Sequence, residues 1–261
     1  MRVTGIIGFP VAHSSSPAIH HAAFAALGLD WIYLTLAVPP GDGATAIKLL
    51  RLLDVAGANV TMPHKQTVIE HLDGLAPDAR AVGAVNTIAR ERERFVGHNT
   101  DGPGFLRSLA EQRVVPTRAV VLGGGGAARG VAVALAGSGV EVRICARRRE
   151  QAAEITSLAD GIYLGDWDDP GEADLFVQAT SAREGLPLDR LALGPGVVAV
   201  DLIYPLPETA FLLAARRAGA EAQDGLGMLV HQAALSFELW TGLDAPIEEM
   251  RRAAELARVS R

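Results

Sequence analysis

The chain has 261 residues, 49% of them hydrophobic, and a formal net charge of −6. That length suits one large domain or two modest ones, and the acidic balance excludes a general nucleic-acid footprint. No run reaches the ~18 apolar residues that cross a bilayer, so no membrane partner is expected.

The N-terminal stretch Met1-Arg2-Val3-Thr4-Gly5 leads into no signal-peptide core, and the one cysteine, Cys145, cannot close an intrachain disulfide. A reducing, cytoplasmic location is the expectation. Residues 3–7 form a short apolar strand. The loop His13-Ser14-Ser15-Ser16 then leads to Pro17 and to helical spacing over 17–27, ended by Gly28. Proline suits a first helical turn, and serines just upstream can cap it. Ser14 and Ser16, at alternate positions of an extended loop, can also point the same way and hold an anion near the helix N-terminus. His13, His20 and His21 have no carboxylate cluster nearby, so no metal is expected.

Residues 31–37 read as a second strand, 43–53 as a helix and 57–61 as a third strand. This third strand runs Gly57-Ala58-Asn59-Val60-Thr61 and continues through Met62, Pro63 and His64 to Lys65. It places an amide, a hydroxyl and an ammonium within seven residues. A helix is expected after Pro63. A lysine near a helix start opposes the dipole, so Lys65 wants a reason beyond a solvated surface. Residues 85–89 and 94–97 read as a hairpin that carries Asn86-Thr87. The polar run Asn99-Thr100-Asp101 then opens a bridging helix over about 102–112, with Asp101 also suited to cap it.

A second strand–helix series follows, with strands at 119–122, 139–145, 162–164, 175–178 and 197–202. Strands alternating with helices imply parallel sheets covered on both faces. Cys145 reads as a buried small hydrophobe on the second of these strands. The first runs into Gly123-Gly124-Gly125-Gly126-Ala127-Ala128, and Gly123-x-Gly125-x-x-Ala128 is a dinucleotide fingerprint at a strand-to-helix turn. Glycines let backbone amides approach a pyrophosphate, and the helix N-terminus favours the anion. The next strand ends in Arg147-Arg148-Arg149, where an enzyme using NAD usually places Asp or Glu for the ribose 2′-hydroxyl. Arginine suits a 2′-phosphate, so NADP is expected over NAD. A solvated basic helix start is the plain alternative. Two helices, 228–240 and 246–259, close the chain after the Gly225–Gln232 run.

These residues alone lead to a nicotinamide reductase for a small hydroxylated carboxylate. The pattern resembles the shikimate dehydrogenase family from near residue 5 to near residue 245. The match includes His13, Ser14, Ser16, Pro17 and His20 of a His-Ser-x-Ser-Pro-x-x-His pattern, with Lys65, Asp101 and Arg147. The resemblance implies two α/β domains with a cleft between them. These are an N-terminal substrate domain with a mainly parallel sheet (1–101) and a Rossmann-like NADP-binding domain (102–236). C-terminal helices (237–261) would return to the first domain. It implies NADP-dependent interconversion of 3-dehydroshikimate and shikimate, in chorismate and aromatic amino acid biosynthesis. Lys65 and Asp101 would be the catalytic pair, and Ser14, Ser16, Asn59, Thr61, Asn86, Tyr204 and Gln232 would contact substrate. Gly123, Gly124, Gly125, Gly126, Ala127 and Ala128, with Arg147, Arg148, Arg149, Thr180, Leu202, Gly225 and Met228, would line the cofactor. Thr209 lies at the family's spacing from Tyr204, while Pro205-Leu206-Pro207 departs from the family's usual Asn-Pro-Leu. Ala146 and Arg148 depart from the residues that flank its Arg. A homodimer is compatible with the resemblance and is not fixed by the chain. Rival readings are a quinate/shikimate or aminoshikimate dehydrogenase, a folate-linked dehydrogenase, and a catalytically idle nucleotide-binding regulatory homologue.

Overall fold

The structure is a computed structural model that describes residues 1–182, 184–204 and 208–259, with residue 259 described by its backbone alone. Residues 205–207, whose sequence departs from the family's, lie outside the described residues. Two compact units divide the chain. One is Met1–Thr100 together with the segment from Val230 onward, and the other is Asp101–Leu229.

The first unit opens with β1 (Arg2–Gly8), α1 (Ser16–Ala26), β2 (Trp31–Ala37), α2 (Gly43–Leu52) and β3 (Gly57–Val60). The short β4 (Gly74–Leu75) and α3 (Pro77–Val82) precede the hairpin of β5 (Thr87–Glu91) and β6 (Arg94–His98). The sheet order is β2-β1-β3-β5-β6-β4. β1 lies parallel to β2 and β3, whereas β5 is antiparallel to both β3 and β6. Ile7, Ala58, Val60 and Ile88 join Ile47 and Leu50 of α2 in one core. The helix expected after Pro63 is absent. Residues 65–68 are turns, followed by one 3₁₀ turn at Ile69–His71. Thr61–Lys65 is instead held by tertiary bonds, which override a weak helical pattern.

The second unit runs through α4 (Asp101–Glu111), β7 (Arg118–Leu122), α5 (Gly126–Gly137), β8 (Glu141–Cys145) and α6 (Arg149–Thr156). It continues with β9 (Ile162–Leu164), β10 (Leu175–Gln178), β11 (Val198–Asp201), α7 (Ala210–Ala218) and β12 (Glu221–Asp224). All pairings are parallel in the order β12-β11-β10-β7-β8-β9. This is the doubly wound order, and its reversal between β7 and β10 is where such sheets bind ligands. Neighbouring residues serve opposite faces, as period two requires. Val121 and Val177 enter one core with Leu135 and Ile144, while Val120 and Phe176 enter another with Phe211 and Leu212.

The chain passes back to the first unit inside α8 (Leu226–Thr241), and α9 (Ile247–Val259) follows. The sequence-drawn change at 236–237 falls later in the same helix, because helical periodicity carries no mark of where a helix changes its packing partner. Trp240 of α8 donates its indole N–H to the Ile88 carbonyl at 2.9 Å, which fastens the helix to the first sheet.

Candidate active site

In the first unit the predicted substrate residues sit around the carboxyl ends of β1 and β3. Ser15, not Ser14 or Ser16, occupies the N-cap position of α1, and its hydroxyl makes no capping bond. The Ser14 hydroxyl instead accepts the Ser16 backbone N–H at 3.2 Å and lies 3.1 Å from the Ser16 hydroxyl. The two hydroxyls therefore lie together on the loop at the N-terminus of α1, where the helix dipole favours an anion.

Thr61 and Lys65 are fixed by their backbones. Thr61 donates its N–H to Ile7 at 2.9 Å, His64 to Thr61 at 2.9 Å, and the Lys65 carbonyl accepts the Val85 N–H at 2.7 Å. The buried His64 ring contacts the Val38 carbonyl at 2.7 Å. A carbonyl only accepts, so this ring nitrogen carries the proton. Lys65 thus leaves a pinned turn rather than a helix end. It is half-buried.

Asn59 is buried among side chains. Its amide nitrogen donates towards the Ser236 hydroxyl at 3.0 Å and the Thr87 hydroxyl at 3.1 Å, and its oxygen accepts the Tyr33 phenol at 2.7 Å. Burial lifts the Tyr33 phenol well above its ordinary value, opposed by the neighbouring Ser16 hydroxyl. Asn86 is also buried, its amide nitrogen 2.9 Å from the Thr100 hydroxyl, and Gln232 lies on α8 with its carbonyl accepting that hydroxyl at 3.0 Å. Tyr33, Thr87 and Ser236 were not singled out as site residues from the sequence. Ser236 stands one helical turn after Gln232, and that i, i+4 spacing was the available signal.

His20 is fully buried, with its ring stacked on Tyr33 at 4.6 Å and near Trp240 at 5.0 Å. Neither ring nitrogen makes a hydrogen bond among the described residues. Burial is the main cause that lowers its pKa from 6.5 to about 3, with Asn59 opposing in part. Unfolded His20 takes up a proton as pH falls through 6.5, and folded His20 resists until about 3. Stability from this neutral histidine is therefore full above pH 6.5 and is lost on acidification. Between about pH 7 and pH 5 the loss is expected to be about 2 kcal/mol, on the order set by one pKa unit per 1.36 kcal/mol. Urea unfolding of wild type and His20→Phe at both pH values measures it. An equal acid loss in the two proteins would show that His20 contributes nothing to it.

The second unit holds the remaining predicted residues. Asp101 is buried in the first turn of α4, where the dipole favours its negative charge. A Cβ on Gly102 would stand 2.5 Å from the Gly130 carbonyl, so glycine permits the close packing of α4 on α5 that sets Asp101 in place. The glycine loop joins β7 to α5 at the reversal of the sheet. Gly123 has φ +139°, its N–H bonds Cys145 at 2.8 Å, and a Cβ there would meet the Ala179 carbonyl at 2.8 Å. Gly125, at the N-cap of α5, is different. Its φ of −88° suits any residue, and a Cβ there would meet nothing within 4 Å. The fold itself does not require glycine at this position, whereas a ligand approaching the backbone would.

The side chains of Arg147, Arg148 and Arg149 are exposed beyond β8. Thr180, Leu202 and Gly225 follow the carboxyl ends of β10, β11 and β12. The Thr180 N–H donates to the Gln178 side chain at 2.7 Å, and the Thr180 hydroxyl accepts the Ala182 N–H at 3.0 Å. Tyr204 is half-buried, and Met228 packs into the core of this unit. Thr209 caps α7 and donates to the buried Asp201 at 2.6 Å. Burial raises the Asp201 carboxyl above its ordinary range. A cavity of about 170 Å³ lies here, lined by Gln178, Asp201 and Thr209.

A larger opening of about 580 Å³ in the first unit is lined by Arg2, Asp54, Arg90, Arg92 and Trp240. It holds none of the predicted residues, and Arg90 there is already paired with Asp54 and Glu93. Among the described residues no helix is long and apolar enough to span a membrane.

A doubly wound sheet with a glycine loop at its reversal, carried with a polar serine–asparagine–lysine unit, defines a dinucleotide-type α/β protein with a small-molecule site. Comparison with known proteins narrows this class. A family profile described as the shikimate dehydrogenase substrate binding domain matches residues 6–88, and one described as the shikimate 5′-dehydrogenase C-terminal domain matches residues 225–255. The shikimate dehydrogenase (NADP(+)) of Geobacter metallireducens is 44% identical, over 96% of this chain and 95% of its own length. The crystal structure of shikimate 5-dehydrogenase from Thermus thermophilus, in complex with NADP(H) and shikimate, is 37% identical. It superposes with a TM-score of 0.91, covering 98% of this chain and 100% of that one. Quinate dehydrogenase from Corynebacterium glutamicum, in complex with NAD, is 29% identical with a TM-score of 0.87, covering 97% and 98%. The chain belongs to the shikimate dehydrogenase family.

Proposed function

We propose that this protein catalyses the NADP-linked, reversible reduction of 3-dehydroshikimate to shikimate, the step of chorismate and aromatic amino acid biosynthesis carried out by its family. The observation that carries the reading is the near full-length similarity to enzymes named for shikimate and NADP(+). A cytoplasmic location and a homodimer belong to the same reading.

The local chemistry agrees with it. Gly125 leaves room at the N-terminus of α5, where backbone N–H groups would hold the pyrophosphate. Arg147, helped by Arg148 and Arg149, would hold the 2′-phosphate through paired donors. Thr180, Leu202, Gly225 and Met228 would border the nicotinamide. The bound cofactor supplies hydride. The Ser14 and Ser16 hydroxyls would bind the substrate carboxylate, with Tyr204 contributing, and Asn59, Thr61, Asn86 and Gln232 would read its hydroxyls. Lys65 would give the proton to the carbonyl oxygen, and Asp101 would orient the reacting hydroxyl and the ammonium.

A second reading, a quinate enzyme, is favoured by the similarity to the Corynebacterium protein. The arginine run argues against its NAD-linked form. Initial rates with shikimate and with quinate, each against NADP and NAD, test the proposal directly. Shikimate with NADP is expected to give the highest kcat/KM. Arg147→Ala should weaken NADP binding by roughly 1.5–3 kcal/mol, the worth of hydrogen bonds to a charged group, and leave NAD nearly untouched. Highest efficiency with quinate and NAD, or equal loss for both cofactors in the variant, would overturn it.

A further inference from the structure

Two side chains assigned above to substrate recognition, Asn59 and Asn86, share one buried cluster of hydroxyls in the first unit with the backbone carbonyl of Gln232. Thr87 on β5 and Ser236 on α8 are fully buried, and their hydroxyls are 2.8 Å apart. Asn59 donates to both, at 3.1 and 3.0 Å, and also lies 3.3 Å from the Asn86 carbonyl. The Thr87 hydroxyl donates to the Asn86 side-chain oxygen at 3.1 Å, and the Thr100 backbone N–H donates to that same oxygen at 2.7 Å. Ser236 and Thr100 both donate to the Gln232 carbonyl, at 2.9 and 3.0 Å.

Proton bookkeeping fixes the directions. The Asn86 backbone carbonyl only accepts, so the Asn59 group 3.3 Å from it is the amide nitrogen, which leaves the Asn59 oxygen to accept the Tyr33 phenol at 2.7 Å. The Asn59 nitrogen is therefore turned towards Thr87 and Ser236. A backbone N–H can only donate, so the Thr100 N–H identifies the Asn86 oxygen, and the Asn86 nitrogen faces the Thr100 hydroxyl at 2.9 Å. Asn59 has two amide hydrogens for three acceptors, and each hydroxyl has a single hydrogen for two or more neighbours. In so dry a cluster, deleting one hydroxyl leaves a buried donor or acceptor unmatched and the amides free to turn.

We infer that Thr87 and Ser236 are positioning residues: they touch no substrate, and they set the orientation of Asn59 and Asn86 and the α8 turn that carries Gln232. This inference rests on the functional reading above. It predicts a specific split. The cluster lies within the first unit, so losing a hydroxyl should raise KM for shikimate and spare KM for NADP.

The test compares Thr87→Val, Thr87→Ser, Ser236→Ala and the Thr87→Val/Ser236→Ala double variant by steady-state kinetics and thermal unfolding. Valine keeps the volume and strand preference of threonine and deletes only the hydroxyl, whereas serine keeps the hydroxyl and deletes the methyl. Thr87→Val and Ser236→Ala are each expected to raise shikimate KM roughly five- to thirty-fold, with NADP KM within about twofold of wild type. Thr87→Ser should stay near wild type in both. The double variant should lose less than the product of the single losses, as members of one network do. A merely structural role would lower the active fraction, and so kcat, at unchanged KM. Unchanged shikimate KM in Thr87→Val and Ser236→Ala, or a serine variant as impaired as the valine one, would overturn the inference. Wild-type protein inactive on shikimate would overturn the functional reading and this inference with it. An active wild type with flat variants would overturn this inference alone.

Discussion

Replacing Lys65 by alanine is expected to lower kcat by about 10²–10⁴-fold, the usual worth of a positioned acid–base group, with a smaller change in substrate KM. The variant should fold, because main-chain bonds fix the turn. The turn is held by main-chain bonds from Thr61 to Ile7 and from Val85 to the Lys65 carbonyl, and by His64 on the Val38 carbonyl. Loss of rate with an intact fold then reports chemistry. Lys65→Arg separates proton transfer from charge. Arginine keeps the positive charge and cannot give up a proton near neutral pH, so a charge-only role would be rescued and a proton-donor role would not. Stopped-flow or steady-state rates on both variants, beside their thermal unfolding curves, decide the matter. Near-normal turnover of Lys65→Ala would remove Lys65 from the chemistry.

The central strands β7, β10 and β11 of the second sheet were legible because each is a short apolar run buried along most of its length, such as Leu175–Gln178. β12 was not, since Glu221-Ala222-Gln223-Asp224 is a polar edge strand with no apolar run to mark it. β4 has only two residues, too few for any periodicity. The false helix after Pro63 arose from reading proline as a helix start, where tertiary bonds to Ile7 and Val85 impose a turn.

In the site, the glycine loop could be read because its demands are local: a positive φ at Gly123 and open space at Gly125 belong to one short run of residues. The approach of the Ser14 and Ser16 hydroxyls to each other was legible for the same reason. The hydroxyl cluster was not. Thr87 and Thr100 stood in polar pairs, but the partner that closes the cluster is Ser236, 149 residues away from Thr87. A lone serine in an apolar helix carries no sign of which strand it will meet. Side chains that face a ligand tend to sit in recognisable strings, whereas those that hold them in place are scattered, because only the fold unites them.

Gly125→Val should weaken NADP binding by more than about 100-fold while leaving the fold standing, and Gly123→Val should do the reverse in order of cause. At Gly125 the backbone is extended, with φ −88° and ψ −177°, and an added Cβ meets no atom within 4 Å. The cost to stability is expected to be at most about 1 kcal/mol, the scale of a changed N-cap. The new side chain would stand over the N-terminus of α5, where the pyrophosphate must come against backbone N–H groups. Losing two charge-assisted bonds of about 1.5–3 kcal/mol each amounts to more than about 100-fold in Kd. At Gly123, by contrast, φ is +139° and the added Cβ would press within 2.8 Å of the Ala179 carbonyl, so the sheet itself would have to give way. That variant should lose stability first and cofactor affinity as a consequence. Titration calorimetry with NADP, read beside thermal unfolding, separates the two. A Gly125→Val protein that still binds NADP with wild-type affinity would mean that the cofactor does not lie on this loop, and the assignment of the second unit to NADP would fall.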